Sequence, residues 1–438
     1  MSPLVIGALV CISTIAVLAT GIPVAFGLGL VAITFLMIFE GPGTLDVLAD
    51  TFFEGLAEFS LVSIPMFIVM GVAIAISPAG KDLYEVLDRW LHRIPGGLII
   101  SNLGACSIFA ALSGSSPATC AAIGKMGIPE MRKRGFPDGL ATGAIAAGGT
   151  LGILIPPSIT MIVYGISTET SIGRLFLAGF LPGLLLTALF MMWSIYAAWR
   201  GGFKFGTKES GFTFKEKFEL VPKVFPFLVI IIAVLFVLYG GVATPSEAAG
   251  VGAFFCLILV AVIYKIYQPA KIWAILSDAM KESVMILMII GASALFSFAL
   301  SSLFVTQAVA ETIVSLSVNK WVLMGIINVF LLVAGFFLPP VAVILMTAPI
   351  LLPIVTGLGF DPYWFAVIFT VNMEIGLITP PVGLNLYVIN GIVPDVSLPT
   401  ILKGAMPFML CMVLGIIIMS IFPEIVTFLP DYIMGPAS

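Results

Sequence analysis

Apolar runs of about twenty residues, separated by short polar breaks, recur along nearly the whole chain. At ~1.5 Å per helical residue, such a run crosses the ~30 Å hydrocarbon core of a bilayer. The pattern predicts spans over 4–20, 21–39, 60–77, 175–199, 222–239, 246–264, 282–302 and 404–426, plus two interrupted spans over 136–170 and 362–391. Two further apolar stretches, 97–131 and 320–356, are longer and carry a small or proline-rich centre, SGSSPAT at 113–119 and FLPPVA at 337–342. A straight helix of that length overshoots the bilayer, so each is predicted to be a re-entrant hairpin of two half-length helices. Non-helical backbone at that depth persists only where protein or a water-filled cavity satisfies it. The fold class is therefore an all-α polytopic membrane protein.

Basic residues orient this threading, because cytoplasmic loops collect Lys and Arg. With the polar helix around 81–93 in the cytoplasm, the first hairpin enters and leaves on that side, and its exit carries Arg132, Lys133 and Arg134. The 200–223 loop, with Arg200, Lys204, Lys208, Lys215, Lys217 and Lys223, falls on the same side, as do Lys265, Lys271, Lys281 and Lys403. Of the 19 Lys and Arg residues, only Arg174 and Lys320 fall outside. The acidic series Glu40, Asp46, Asp50, Glu54 and Glu58 lies on the external face, with both termini. The second hairpin then enters from outside, so the two halves have opposite topology.

A shift of 224 positions superposes the halves. Pro129 meets Pro353, Gly135–Phe136 meets Gly359–Phe360, Gly152 meets Gly376, and Pro156–Pro157 meets Pro380–Pro381. Each half runs hairpin tip, loop, span, broken span. An inverted repeat with interrupted helices is the sequence pointer to the midplane site of a secondary transporter.

Composition agrees with the membrane reading. Charged residues make up 10% of the chain and hydrophobic ones 60%, against about 25% charged in soluble domains. The first apolar segment, Leu4 to Ala19, lacks a basic n-region and reads as a retained span rather than a signal peptide. Cys11, Cys106, Cys120, Cys256 and Cys411 are scattered through apolar runs without a CxxC pair, which predicts packed free thiols. The single histidine, His92, reads as an interfacial side chain. Nothing points to a nucleic-acid partner.

The chemistry follows from the breaks. Interrupting a helix frees backbone carbonyls and N–H groups; the carbonyls suit a hard cation such as sodium, and half-helix N-termini suit a carboxylate. The stretch 148–158 and the tip 114–119 offer carbonyls with the hydroxyls of Ser113, Ser115, Ser116, Thr119, Thr150 and Ser158. In the other half, 372–385 and the second tip offer carbonyls with Thr379 and the amides of Asn372 and Asn385. Isolated glycines such as Gly27 and Gly71 read as close-packing residues. Glu374 has three readings: a cation site, a proton-coupling group, or a bridge to backbone N–H groups at the break. The structural bridge is preferred, because the counterpart by offset is Thr150, not an acid. Glu247, two residues beyond Pro245, reads as part of a helix cap.

In this order, GGVATPSEAAG (240–250), SGSSPATCAAIG (113–124), GTLGILIPPS (149–158) and EIGLITPPVGLN (374–385) resemble the large membrane subunit of tripartite ATP-independent periplasmic (TRAP) transporters, over essentially the whole chain. The resemblance implies an elevator-type transporter of the bacterial inner membrane, driven by two sodium ions without ATP. It implies a small membrane subunit as a separate chain, a periplasmic substrate-binding protein, and an organic acid such as a C4-dicarboxylate, another carboxylate or a sialic acid. It places scaffold spans and an interfacial helix in 1–93, a first transport half in 94–174, scaffold in 175–281, a second transport half in 282–394 and a C-terminal span in 395–438. Carried onto this sequence, one sodium site uses Ser113 with carbonyls near Gly149, Gly152, Ile155 and Pro156. The other uses Pro339 to Val341 with carbonyls near Gly376, Thr379 and Pro380. Substrate lies between the tips, contacting Ser115, Ser116, Ser158 and Asn385. No arginine stands in the site; Arg174 is the nearest in sequence.

Three other readings compete. A standalone sodium–carboxylate symporter shares the design. An intramembrane enzyme needs a nucleophile and a base, and the serines near Gly114 have no histidine partner. A passive channel does not need hairpins entering from opposite faces.

Overall fold

The computed structural model describes residues 1–91, 96–201, 213–315 and 318–435. His92, Lys204, Lys208 and the 93/94 boundary lie outside the described residues. Every regular element among those described is helical. The first half comprises α1 (Pro3–Ala19), α2 (Val24–Phe39), α3 (Leu45–Leu56), α4 (Ser63–Ile76), α5 (Ala79–Leu91), α6 (Gly97–Ser113), α7 (Ser116–Lys133), α8 (Asp138–Thr150), α9 (Ile159–Ser167) and α10 (Ile172–Arg200). A short α11 (Phe214–Glu219) leads into the second half. There follow α12 (Val221–Tyr239), α13 (Pro245–Tyr264), α14 (Pro269–Ser302), α15 (Val305–Ser315), α16 (Lys320–Phe337), α17 (Pro340–Gly357), α18 (Pro362–Leu377), α19 (Leu384–Ile392), α20 (Leu398–Ile421) and α21 (Glu424–Met434).

The 224-residue shift governs the whole chain and not only its broken helices. It carries α7 onto α17 at both ends, and α6, α8, α9 and α10 onto α16, α18, α19 and α20. It also carries α1 and α2 onto α12 and α13, α3 with α4 onto the single long α14, and the amphipathic α5 onto α15. Local chemistry sets the boundaries. Proline occupies the first turn of α13, α14, α17, α18 and α20, where its missing N–H costs nothing. Asp361 accepts the Trp364 N–H at 2.8 Å. Thr244 and Glu247 form a reciprocal capping box, so Glu247 has the capping role its position predicts.

Side-chain contacts establish the inverted topology. At one end, Arg132 pairs with Asp138 and Asp395, Arg134 with Asp88, Arg89 with Glu219 and Lys223 with Asp82. At the other, Arg174 reaches Asp431 and lies over the Tyr363 ring, while Trp321 packs on Phe360. The first hairpin therefore exits at the basic end and the second at the opposite end.

Four helices escape a reading by apolar length: α3, α11, α15 and α21. Each is short: α3 and α15 pack on α14, α11 on α12, and α21 on α10. Hydropathy also reads only the apolar part of α14, which begins at Pro269 rather than 282 because its first turns carry Lys271, Asp278 and Lys281. The last span runs from Leu398 to Ile421, not 404–426, since Pro423 ends the ladder and α21 starts anew.

Candidate functional site

In the first half, Ser113 ends α6 and Gly114 turns the chain in the left-handed region (φ +60°). Within the tip, Ser113 Oγ lies 2.9 Å from Thr119 Oγ1, and Thr119 Oγ1 donates to the Ser115 carbonyl at 2.8 Å. The interrupted span meets this tip backbone to backbone. A Cβ on Gly152 would stand 2.6 Å from the Ser115 carbonyl oxygen, and one on Gly114 would stand 2.8 Å from the Pro157 oxygen. Between Leu151–Ile153, a 3₁₀ turn, and α9, the chain crosses a cis Pro156–Pro157 bond, and every residue from 151 to 158 is buried. Among the described residues, no backbone N–H donates to the carbonyls of Leu154, Ile155, Pro156 or Pro157. Buried carbonyls without donors call for water or a cation.

The second half repeats the device with a different exposure. Pro380–Pro381 is also cis, and among the described residues the carbonyls of Thr379, Pro380 and Pro381 likewise accept no backbone hydrogen bond. The break docks on the end of α16, where the Val382 N–H donates to the Phe336 carbonyl at 3.2 Å. A Cβ on Gly376 would stand 2.4 Å from the Gly335 carbonyl oxygen, so this position does not tolerate a side chain without movement. Here Pro380, Pro381 and Val382 are exposed, as is Pro339 at the tip. One break is sealed and the other open, an asymmetry that the near-identical motifs do not reveal.

The halves meet through Asn385. Its Nδ2 donates to Ser116 Oγ at 2.8 Å and to the Ala146 carbonyl at 3.1 Å. Asn385 lies in the first turn of α19 and Ser116 at the start of α7, so two half-helix N-termini adjoin. Each end offers unpaired N–H groups and a positive partial charge, which suits an anion. Asn385 Oδ1 is buried without a partner.

The remaining predicted residues fall into place around this frame. Ser115 is half-buried, and among the described residues its hydroxyl has no hydrogen-bond partner. Ser158 is buried and committed: its hydroxyl donates to the Ile153 carbonyl at 2.5 Å and accepts the Met161 N–H at 3.3 Å, capping α9. Gly149 packs on Cys120. Thr379 Oγ1 returns to its own helix at the Ile375 carbonyl (2.6 Å), and Val341 is half-buried beside the second tip. Asn372 turns away from the break and donates to Asn328 Oδ1 at 2.6 Å, a partner that an isolated asparagine in an apolar run did not announce. The preferred bridging role of Glu374 is not realised, since neither carboxylate oxygen has a hydrogen-bond partner. Arg174 is remote from both tips and engaged with Asp431 and the carbonyls of Met434 and Gly435.

No group of three or more His, Cys, Asp or Glu side chains able to hold a metal occurs among the described residues. The oxygen set at the breaks is instead the kind that alkali cations take. A cavity of about 550 Å³ opens elsewhere, at the external end, between Glu58, Glu169, Ser171 and Pro245. It touches neither tip.

The chain is similar in sequence and in fold to known membrane transport proteins. The family model for the DctM component of tripartite ATP-independent periplasmic transporters matches residues 11–425. The C4-dicarboxylate TRAP transporter large permease protein of Pseudomonas aeruginosa is 36% identical over 406 residues, covering 93% of this chain and 94% of that protein. The isethionate TRAP transporter permease protein DctMQ of Oleidesulfovibrio alaskensis is 34% identical over 411 residues, covering 94% of this chain but 64% of that protein. Among solved structures, the YdaH transporter of Alcanivorax borkumensis superposes with a TM-score of 0.65 at 16% identity, covering 92% of this chain and 91% of that one. That likeness concerns the fold alone.

Proposed function

We propose, from the premise that this chain belongs to the DctM-component family of tripartite ATP-independent periplasmic transporters, that it is the membrane engine of a sodium-coupled importer of an organic acid. It is a permease subunit and not an enzyme. It resides in the inner membrane of a bacterium, beside a small membrane subunit made as a separate chain, and receives substrate from a periplasmic binding protein.

The buried, donor-free carbonyls of Leu154 to Pro157 against the first tip carry this reading. One sodium ion sits there with Ser113, and a second sits at the carbonyls of Thr379 to Pro381 beside the second tip. The substrate anion lies at the adjoining N-termini of α7 and α19, touching Ser115, Ser116 and Asn385. Named substrates of the two relatives, a C4-dicarboxylate and isethionate, are both small anions, in keeping with helix N-termini as the recognising groups.

Transport proceeds by an elevator movement. The moving body comprises α6–α10 and α16–α20, which adds α10 and α20 to the limits implied by resemblance and leaves out α14 and α15. Two packings support this division. Helix α20 lies against α8 through Gly139, Gly143 and Gly404, whose backbones touch too closely to slide independently. Helix α14 packs most extensively along α2, α3 and α4 of the frame, and touches the moving body at α17.

Proteoliposome uptake tests the reading. Accumulation should require an inward sodium gradient, the small subunit and a cognate binding protein together. Efficient uptake by this chain alone with free substrate would overturn the tripartite assignment; uptake without sodium would overturn the coupling.

A further inference from the structure

Helix α4 belongs to the frame by its main packing, along α13 and α14, yet another side of it reaches α6, α7 and α9 of the moving body. Gly71 is buried on that side, against the tip of hairpin 1. A Cβ built on it would stand 2.7 Å from the Ser113 carbonyl oxygen and 3.0 Å from the Ser113 Cα. Both atoms are backbone, so no rotamer change relieves the overlap. Phe67, one turn earlier on the same face of α4, meets Phe176 of α10 edge-on, with 6.3 Å between ring centroids. Both contacts cross from frame to moving body.

The tip has little room to withdraw. Ser113 ends α6, and Pro117, whose N–H would continue the ladder to its carbonyl, has none. That oxygen is left facing α4. On the same tip, Ser113 Oγ is tied to Thr119 at 2.9 Å, and Gly114 already lies against the Pro157 carbonyl. A side chain at position 71 is therefore relieved by separating the two bodies rather than by bending the tip.

The second half does not repeat the arrangement. The 224-residue shift places Leu295 at the position of Gly71 and Phe337 at that of Ser113. Leu295 is buried, but Phe337 is 58% exposed. The glycine approach thus belongs to the half whose break is sealed, not to the half whose break is open.

We propose that Gly71 is a positioning residue of transport: its missing side chain lets α4 close on hairpin 1 and holds the moving body in the arrangement described here. The proposal rests on the elevator reading above and adds to it a frame residue that sets the balance between arrangements. A contact between two bodies is lost when one moves past the other, so bulk at position 71 penalises this arrangement selectively.

Spin labels at Glu58→Cys in the frame and Glu169→Cys on the moving body, both exposed and lining the external cavity, report the separation of the bodies in the complete membrane complex. Cys11 and Cys411, the two native thiols that are not fully buried, are first changed to serine. The wild type should show a short distance, matching this arrangement, and a longer one. Gly71→Ala should lower the short-to-long ratio about fivefold or more, the lower end for one overpacked methyl group. Gly252→Ala, whose new methyl meets Val234 and Met70 inside the frame, should leave the ratio unchanged. Phe67→Ala removes a contact across the same boundary without adding bulk and should lower the ratio too. Two wild-type populations that Gly71→Ala leaves unmoved, or that Gly252→Ala moves equally, overturn the proposal. If Gly71→Ala does not fold, an unmoved ratio in Phe67→Ala overturns it instead. A single fixed distance in wild-type proteoliposomes engaged in uptake would sink the elevator reading itself, and this proposal with it.

Discussion

The amide of Asn385 donates to Ser116 Oγ at 2.8 Å across the boundary between the repeats, joining residues 269 positions apart. Both side chains are buried, and both belong to the first turn of a half-helix. The contact has no symmetry mate: the same shift places Pro340 opposite Ser116 and Met161 opposite Asn385. Two copies of one device thus meet at a buried, asymmetric polar contact.

Breaking that contact tests its weight. Removing one partner of a buried hydrogen bond costs ~1–3 kcal/mol, a factor of roughly five to one hundred and fifty. Asn385→Ala should lower uptake within that range while the complex still purifies as one species. Ser116→Ala should do less, because Asn385 keeps the Ala146 carbonyl at 3.1 Å. In a double-mutant cycle, additive losses would show that the two side chains do not act together.

Glycine substitutions separate site packing from generic helix behaviour. Gly152→Ala sets a methyl group 2.6 Å from the Ser115 carbonyl oxygen, so either the tip or the break must shift. Overpacking of this kind costs ~1–3 kcal/mol, and it should lower the melting temperature and weaken sodium-induced stabilisation. Gly29→Ala meets nothing within 4 Å in α2 and should be neutral or slightly stabilising. Equal thermal shifts for the two would contradict the tight apposition at the first tip.

Much of this fold was legible because its decisive marks are local. Proline pairs, tip glycines and basic residues announce themselves wherever they occur, and the repeat fixed their order. The short helices α3, α15 and α21 left no such mark, since apolar length reads only what crosses the membrane. The site was legible as breaks but not as contacts. Asn372 and Asn385 look alike as lone amides in apolar runs, yet one binds Asn328 and the other Ser116. Nor do the motifs tell a sealed break at Pro156 from an open one at Pro380, because exposure is set by what packs on them.

Sequence alone ranks Ser115 and Thr379 as equals; geometry does not. Thr379 Oγ1 is satisfied by its own helix at the Ile375 carbonyl, whereas the Ser115 hydroxyl has no partner among the described residues. Ser115→Ala should therefore reduce sodium-dependent uptake about tenfold, the loss of ~1.4 kcal/mol. Thr379→Ala should change it less than threefold. A larger loss for Thr379→Ala in expression-matched vesicles would return the threonine hydroxyl to the ligand set.

Asp395, in the loop between α19 and α20, ties hairpin 1 to the second half from the cytoplasmic side. Its carboxylate accepts from Arg132 Nη2 at 2.6 Å, and that hydrogen bond holds its pKa below the usual carboxylate value. A lowered folded-state value means that the contribution is fully present above the unfolded carboxylate pKa of ~3.9. It disappears as pH falls through the lower folded value. The pair is solvent-exposed, so the effect is small and screened by salt. Wild-type protein should melt slightly above Asp395→Asn at pH 7, with the gap closing as pH falls below about 4. About 1 M salt at pH 7 should narrow the gap in the same way, since the screening length there is ~3 Å. A gap that persists unchanged at pH 3 would mean that Asp395 stabilises the loop by packing and not by charge.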